Sequence, residues 1–257
     1  MALTYRELIL QPDINRLTRQ FEAYFARQHR LFMRLFARTK TNWIEEADAP
    51  IDPHEWEQYW ELLQMDGATA IAGSIDQAVQ GAMIKGGLLG TDTPNVAISF
   101  TLKNTYAQEY LQNYGSQRIS QVNSATKGYI NNIINKAMGK GESYQQTAKK
   151  IGDMYSQMYE KSPLEHIKNR AELIAVTETG NAYSEASLIQ SKALQYAGLP
   201  MEKSWLTVGD NRVSEACASN EAAGWIPLDD LFPAGDDRPL NHPGCRCTLL
   251  TQMRMPE

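Results

Sequence analysis

The sequence holds no run of about 18 apolar residues, so it predicts no transmembrane helix. Its first seven residues, MALTYRE, lack the apolar core of a secretory signal, and none is expected. Cysteine is scarce, with three residues that all lie at position 217 or later. So few and so clustered a set does not suit a secreted disulfide framework and is typical of a local site.

The signatures of common enzyme classes are also missing. Zinc deaminases need H-x-E and P-C-x-x-C, and neither occurs; His54-Glu55 lacks the second histidine of a zincin. The sequence has no P-loop, no G-x-S-x-G and no G-x-G-x-x-G. A nucleophilic pair of Cys217 and His242 stays open as an alternative without further support. We therefore expect no enzyme and no small-molecule substrate.

Charge is unevenly distributed along a chain that is acidic as a whole. The net charge of -5 argues against a protein that binds nucleic acid over its entire surface. Residues 12–42 nevertheless carry seven basic and two acidic side chains, whereas residues 42–66 carry eight acidic and no basic ones. The first segment therefore has a local potential that differs from that of the whole chain.

The basic segment is predicted to be an amphipathic helix with Pro12 in its first turn. Apolar residues recur every three or four positions from Leu17 to Phe36, and arginines lie on a different side. The arginine side could contact nucleic acid or an acidic partner, or be a solvated face balanced by the acidic segment. These arginines are Arg16, Arg27, Arg30, Arg34 and Arg38.

Helical periodicity continues to about residue 197 and is interrupted by one linker. The sequence predicts an N-terminal helical region (1–88), a linker (89–102) rich in glycine and proline, and a second region (103–257). The fold class is therefore mainly α: a helical array with a small C-terminal α+β module.

The second region is predicted to hold a long helix that opens at Ser162-Pro163 and stops at Gly198. After it, residues 202–252 form what we call the tail module. Alternating patterns predict strands at Lys203–Val208 and Cys247–Gln252.

Three cysteines and a histidine of the tail module have the spacing C-x24-H-x2-C-x-C. Thiolate and imidazole are the ligands that a tetrahedral zinc prefers, and zinc would stabilise a long polar loop. Two alternatives remain: a small buried Cys217 with a hydrogen-bonded surface His242, or a disulfide between Cys217 and either Cys245 or Cys247. The predicted zinc ligands are Cys217, His242, Cys245 and Cys247.

Charged residues near the same segments are predicted to form a polar network that joins the tail module to the long helix. Arg246 lies between two cysteines, so its side chain should point away from theirs in an extended segment. The alternative is a set of solvated charges that contribute little to stability. The network residues are Glu178, Asp210, Arg212 and Arg246.

Three motifs occur in a defined order between about residues 115 and 252. They are R-A-E-L-I-A-V-T-E from Arg170, W-L-T-V-G-D-N-R from Trp205, and H-P-G-C-R-C from His242. In order and spacing they resemble the phage Mu F-like head morphogenesis family, minor capsid proteins of tailed phages. One departure is Ser214, where the family has its first cysteine, so a C-x-x-C half-site is lost.

The resemblance implies a minor capsid protein that acts in procapsid assembly, near the portal, by docking rather than bond chemistry. It implies that portal and capsid proteins are the partners and that no membrane is involved. It also implies that the protein contacts packaged DNA or aids its ejection. The expected location is the interior of the virion near the portal, after assembly in the host cytoplasm. Two alternatives stay open: a zinc-stabilised nucleic-acid-binding protein and an uncharacterised enzyme.

Overall fold

The computed structural model describes residues 5–42, 57, 60–64, 67–89, 102–103, 105–112, 114–140, 142, 144–159 and 169–254. Within these ranges the protein is mainly α-helical with a small antiparallel sheet near the C-terminus, which confirms the predicted fold class. None of the helices in this described part has an apolar stretch that would span a bilayer. The helices are α1 (Tyr5–Asn42), α2 (Ala68–Leu89), α3 (Thr105–Leu111), α4 (Tyr114–Gly139), α5 (Tyr144–Tyr159), α6 (Arg170–Tyr196) and α7 (Glu215–Ala222), and the strands are β1 (Met201–Leu206), β2 (Ile226–Pro227) and β3 (Thr248–Met253).

The chain divides into two compact units, each built from separate segments. The first unit comprises Met1–Leu17, Asp76–Gln112 and Leu173–Glu257, and the second comprises Thr18–Ile75 and Asn113–Glu172. The predicted linker, residues 89–102, lies almost entirely outside the described residues. The consecutive domain boundaries drawn from the sequence therefore stay a prediction.

Helix α1 begins at Tyr5, so the prediction that Pro12 occupies its first turn is wrong. Pro12 cannot donate a hydrogen bond to the carbonyl four residues earlier, and it is exposed on the helix surface. The neighbouring turn is stabilised from outside the helix. Lys85 donates to the Ile9 carbonyl at 3.1 Å and pairs with the Asp13 carboxylate at 2.5 Å, which favours helix on both sides of the proline.

The second unit has an aromatic core on α1. Phe21, Phe25 and Phe32 are fully buried there, in agreement with the predicted apolar side of this helix. The Arg170 guanidinium, the first residue of the R-A-E-L-I-A motif, lies 5.8 Å from the centre of the Phe25 ring and 5.2 Å from that of Tyr129. Cation–π contacts of this kind explain why a partly buried arginine is compatible with the core.

Helix α6 begins later than the sequence predicts. Asn169 accepts a hydrogen bond from the Glu172 N–H at 3.0 Å, which makes it the N-cap, and the first helical residue is Arg170. The predicted start at Ser162-Pro163 falls outside the described residues. The predicted stop agrees, because Gly198 follows the helix with a φ of 92°.

In the first unit, α2 and α6 approach each other at a glycine. A methyl group on Gly86 would lie 2.1 Å from the Tyr183 carbonyl oxygen, well inside van der Waals contact. The Ser187 hydroxyl donates to the Gly86 carbonyl at 3.1 Å across the same crossing. The two helices therefore touch backbone to backbone, which requires a residue without a side chain at position 86.

The tail module packs against the C-terminal half of α6. Its three strands have the order β2-β1-β3, and β1 pairs with β3 from Met201↔Met253 to Leu206↔Thr248. On the buried face, the Trp205 ring meets the Phe232 ring edge-on at 5.2 Å. The buried cluster around Trp205 includes Leu188 and Leu194 of α6 together with all three cysteines.

Candidate metal centre

Two local signals in the sequence bring the cysteines and the histidine together. Ser214 is the N-cap of α7, and its hydroxyl accepts the Cys217 N–H at 3.2 Å, which fixes Cys217 in the first turn. Ser214, where the resemblance predicts a cysteine, is therefore a helix cap in this chain.

The second signal is the turn His242-Pro-Gly-Cys245, which belongs to what we call the cysteine loop (residues 241–247). The Cys245 N–H donates to the His242 carbonyl at 3.1 Å, and Gly244 has a φ of 74°. Proline at the second position and a glycine with positive φ at the third are the signature of a type II turn. The turn places His242 and Cys245 at its two ends, side by side.

Three of the four predicted ligands form one group. The ligand atoms of Cys217, His242 and Cys245 all lie within 4.8 Å of one another. The two sulfur atoms are 3.8 Å apart. Two sulfurs bound to one tetrahedral zinc at about 2.3 Å each would be separated by about 3.8 Å, so the pair fits zinc without rearrangement.

The orientation of His242 also suits a ligand. Its Nδ1 lies 3.0 Å from the Pro243 carbonyl oxygen. If His242 donates from Nδ1 to this carbonyl, its Nε2 keeps the lone pair that a metal would take. Metal-binding histidines commonly donate their second nitrogen to a backbone carbonyl in this way.

Cys247, the fourth predicted ligand, is not in this group. Its thiol hydrogen-bonds to Cys245, and this bond, together with the positive charge of Arg6, lowers the pKa of Cys245 to about 5. The same hydrogen bond and burial raise the pKa of Cys247, and burial raises the pKa of Cys217. All three cysteines are buried, and none of them is in a disulfide. The arrangement therefore favours a thiolate on Cys245 that is hydrogen-bonded by a neutral Cys247.

Of the predicted network residues, the structure joins Asp210 and Arg246 directly. Their ion pair is 2.5 Å long and largely shielded from solvent, and it lowers the pKa of Asp210. Arg212 takes part through its backbone, whose N–H donates to Asp210 at 3.1 Å. Glu178 is buried in α6. One contact between this helix and the cysteine loop is made by its neighbour Thr177, whose hydroxyl accepts the Gly244 N–H at 3.0 Å.

Removing the Asp210–Arg246 pair is expected to destabilise the tail module. Asp210→Asn keeps an oxygen for the Arg212 N–H and removes the charge, so we expect a loss of about 1 kcal/mol. Glu178→Ala is expected to lower the melting temperature as well, if the network extends to α6. Melting curves followed by circular dichroism measure both, with Asp229→Asn as an exposed control. An unchanged melting temperature in Glu178→Ala would count against that extension.

Arg6 is a residue near the site that the sequence did not predict. Its side chain is 2 % exposed, and its guanidinium donates to the carbonyl oxygens of Cys245, at 3.2 Å, and of Cys247. Gly180 of α6 makes room for it, because a methyl group there would lie 3.2 Å from Arg6 Nη1. More than 200 positions separate Arg6 from the cysteines, and no local pattern signals such a contact.

The predicted contact arginines lie along α1. Arg16 pairs with Asp13 at 2.8 Å and is about half exposed. Arg27, Arg30 and Arg34 are exposed, and the side chain of Arg38 lies outside the described part. The structure thus places the described arginines of this set at the surface.

Comparison with known proteins tests the resemblance. Residues 129–250 match the family described as phage Mu protein F like protein. Searches of the curated proteins and of the solved structures give no match. The matched segment contains all three motifs and the whole Cys217–His242–Cys245 group.

These features define a compact cysteine-bearing module that follows a long helix. This match confirms the resemblance to the phage Mu F-like family over that segment of the chain. The family indicates a role in phage head morphogenesis as a minor capsid protein.

Proposed function

We propose that the protein joins the procapsid near the portal, in the host cytoplasm, and stays inside the mature virion. The observation that carries this proposal is the family match over residues 129–250. Its partners would be the portal and capsid proteins, bound through protein–protein docking. Two features of the structure support docking rather than catalysis: the cysteines are inaccessible, and the tail module exposes apolar side chains.

The three cysteines are between 1 % and 3 % exposed, among the side chains of a hydrophobic cluster. A nucleophile must meet its substrate, so this burial does not favour the Cys217–His242 pair as catalytic groups. At the surface of the same module, Leu206, Trp225 and Leu231 are between 42 % and 62 % exposed. Exposed aromatic and aliphatic side chains are typical anchors of protein interfaces.

We also infer that the group of Cys217, His242 and Cys245 binds zinc as a structural ion. A bound zinc would supply a cross-link between α7 and the cysteine loop. The 3.8 Å separation of the sulfurs and the orientation of His242 support this inference. Cys247 would either remain a hydrogen-bond donor or move to become a fourth ligand.

The proposal is tested by assembling procapsids from the phage's capsid and portal proteins with this chain. We expect the chain to be incorporated only when the portal protein is present. Leu231→Ala should reduce incorporation, whereas Leu62→Ala, equally exposed but in the second unit, should not. Equal incorporation with and without the portal protein would contradict the portal assignment.

The second part of the proposal is that the protein contacts DNA. The same contact is expected under the alternative of a zinc-stabilised nucleic-acid-binding protein. The exposed Arg30 and Arg34 of α1 favour it. If both contact phosphates, changing them to glutamine should reduce the slope of log affinity against log salt by about two. The control changes Lys140 and Lys149 to glutamine. If the wild-type chain has no measurable affinity for DNA at low salt, the proposed DNA contact is wrong.

A further inference from the structure

We propose that Arg6 is a positioning residue of the metal centre, so that metal binding and the packing of the first turns of α1 stabilise each other. The inference rests on the zinc binding proposed above and adds an element of the site from the opposite end of the chain. Arg6 and the cysteine loop both belong to the first unit.

The contact is buried and directed at the backbone of a ligand. Arg6 donates one N–H group to the Cys247 carbonyl and another to the Cys245 carbonyl, and only 2 % of it is exposed. A buried carbonyl that loses its donor is costly, so this contact strongly favours one loop conformation. Because Cys245 is one of the three grouped residues, that conformation includes the direction of a ligand side chain.

The geometry requires a planar fork rather than a positive charge alone. A guanidinium presents several N–H groups at fixed angles, so it can fix two carbonyls that are two residues apart. A lysine ammonium at the same position keeps the charge but lacks this fork. Gly180 and Leu240 limit the space, since a methyl group on Gly180 would lie 3.2 Å from both Arg6 Nη1 and Leu240 Cδ1.

The consequence is reciprocal coupling. If Arg6 stabilises the loop conformation that binds metal, then bound metal must stabilise the Arg6 contact by the same factor. The first turns of α1 should therefore exchange their amide protons more slowly when the site is loaded. A side chain that only packed against the module, without orienting the ligand, would not give this metal-dependent protection.

The experiment uses the full chain, with zinc affinity measured by competition against a chromophoric chelator. We expect Arg6→Lys to bind zinc between 10 and 100 times more weakly, as is common when an outer-shell contact is lost. The matched control is Arg16→Lys, on the same helix and in the same unit but paired with Asp13 at the surface, and it should stay within about twofold of wild type. Hydrogen–deuterium exchange of residues 7–17 is then compared with and without zinc.

Each outcome decides the inference. Weaker binding by Arg6→Lys, with zinc-dependent protection of residues 7–17 in wild type and not in the variant, supports it. Equal affinities in Arg6→Lys and wild type overturn the inference and leave zinc binding intact. No zinc bound by the wild-type chain overturns both. If Arg6→Lys does not fold, Gly180→Ala replaces it, because its methyl group displaces the guanidinium by a few tenths of an ångström; unchanged zinc affinity there counts against the inference.

Discussion

Replacing Gly86 with alanine is expected to destabilise the first unit by about 3 kcal/mol, the upper end of typical overpacking costs. The new methyl group would lie 2.1 Å from the Tyr183 carbonyl oxygen, a backbone atom that no rotamer change can move. Helices α2 and α6 would have to separate, which weakens the Ser187–Gly86 hydrogen bond and opens the packing between them. The loss is measured as a shift in the midpoint of urea unfolding.

The control for this prediction is Gly73→Ala in the same helix. Gly73 is exposed, and no atom lies within 4 Å of the methyl group that alanine would add. Alanine is a better helix former than glycine by about 1 kcal/mol, so this variant should be slightly more stable than wild type. If Gly86→Ala were as stable as Gly73→Ala, the close approach of α2 and α6 would be wrong.

The parts of the fold that could be predicted from the sequence depend on neighbours along the chain. The strand predicted at Lys203–Val208 from its alternating residue types is found at Met201–Leu206. Such alternation indicates a strand because successive side chains of a strand point to opposite faces of the sheet. The start of α1 could not be predicted from Pro12, since the turn around the proline is stabilised by Lys85 from another helix. A proline inside a helix looks like a helix start when such a tertiary contact is unknown.

In the candidate site, too, the features that depend on neighbours along the chain could be predicted, and those that depend on tertiary packing could not. The proximity of His242 and Cys245 follows from a Pro-Gly turn, which is local chemistry. The selection of Cys217 and the exclusion of Cys247 from the group depend on how α7 and the loop pack, which spacing does not encode. The contact of Arg6 with the loop could not be predicted from the sequence at all, because its partners are backbone carbonyls, which every residue type provides.

Loss of the metal is expected to have the second large effect. With free zinc at 100 times its dissociation constant, binding to the folded state alone adds about 2.7 kcal/mol of stability, which a chelator should remove. Cys245→Ser removes one of the three grouped ligands, so its unfolding should no longer respond to zinc or chelator.

Cys247→Ser is the matched control, because the same substitution falls two residues away on a thiol outside that group. It should lose stability through its buried position but keep the zinc-dependent increase. Unfolding of the wild type and both variants is followed by tryptophan fluorescence, since Trp205 lies in the cluster with the cysteines. If both variants lose the zinc response, Cys247 moves to become the fourth ligand. If the stability of the wild type does not change with zinc or chelator, the proposed zinc binding is wrong, and hydrophobic packing and Arg6 stabilise the loop without a metal.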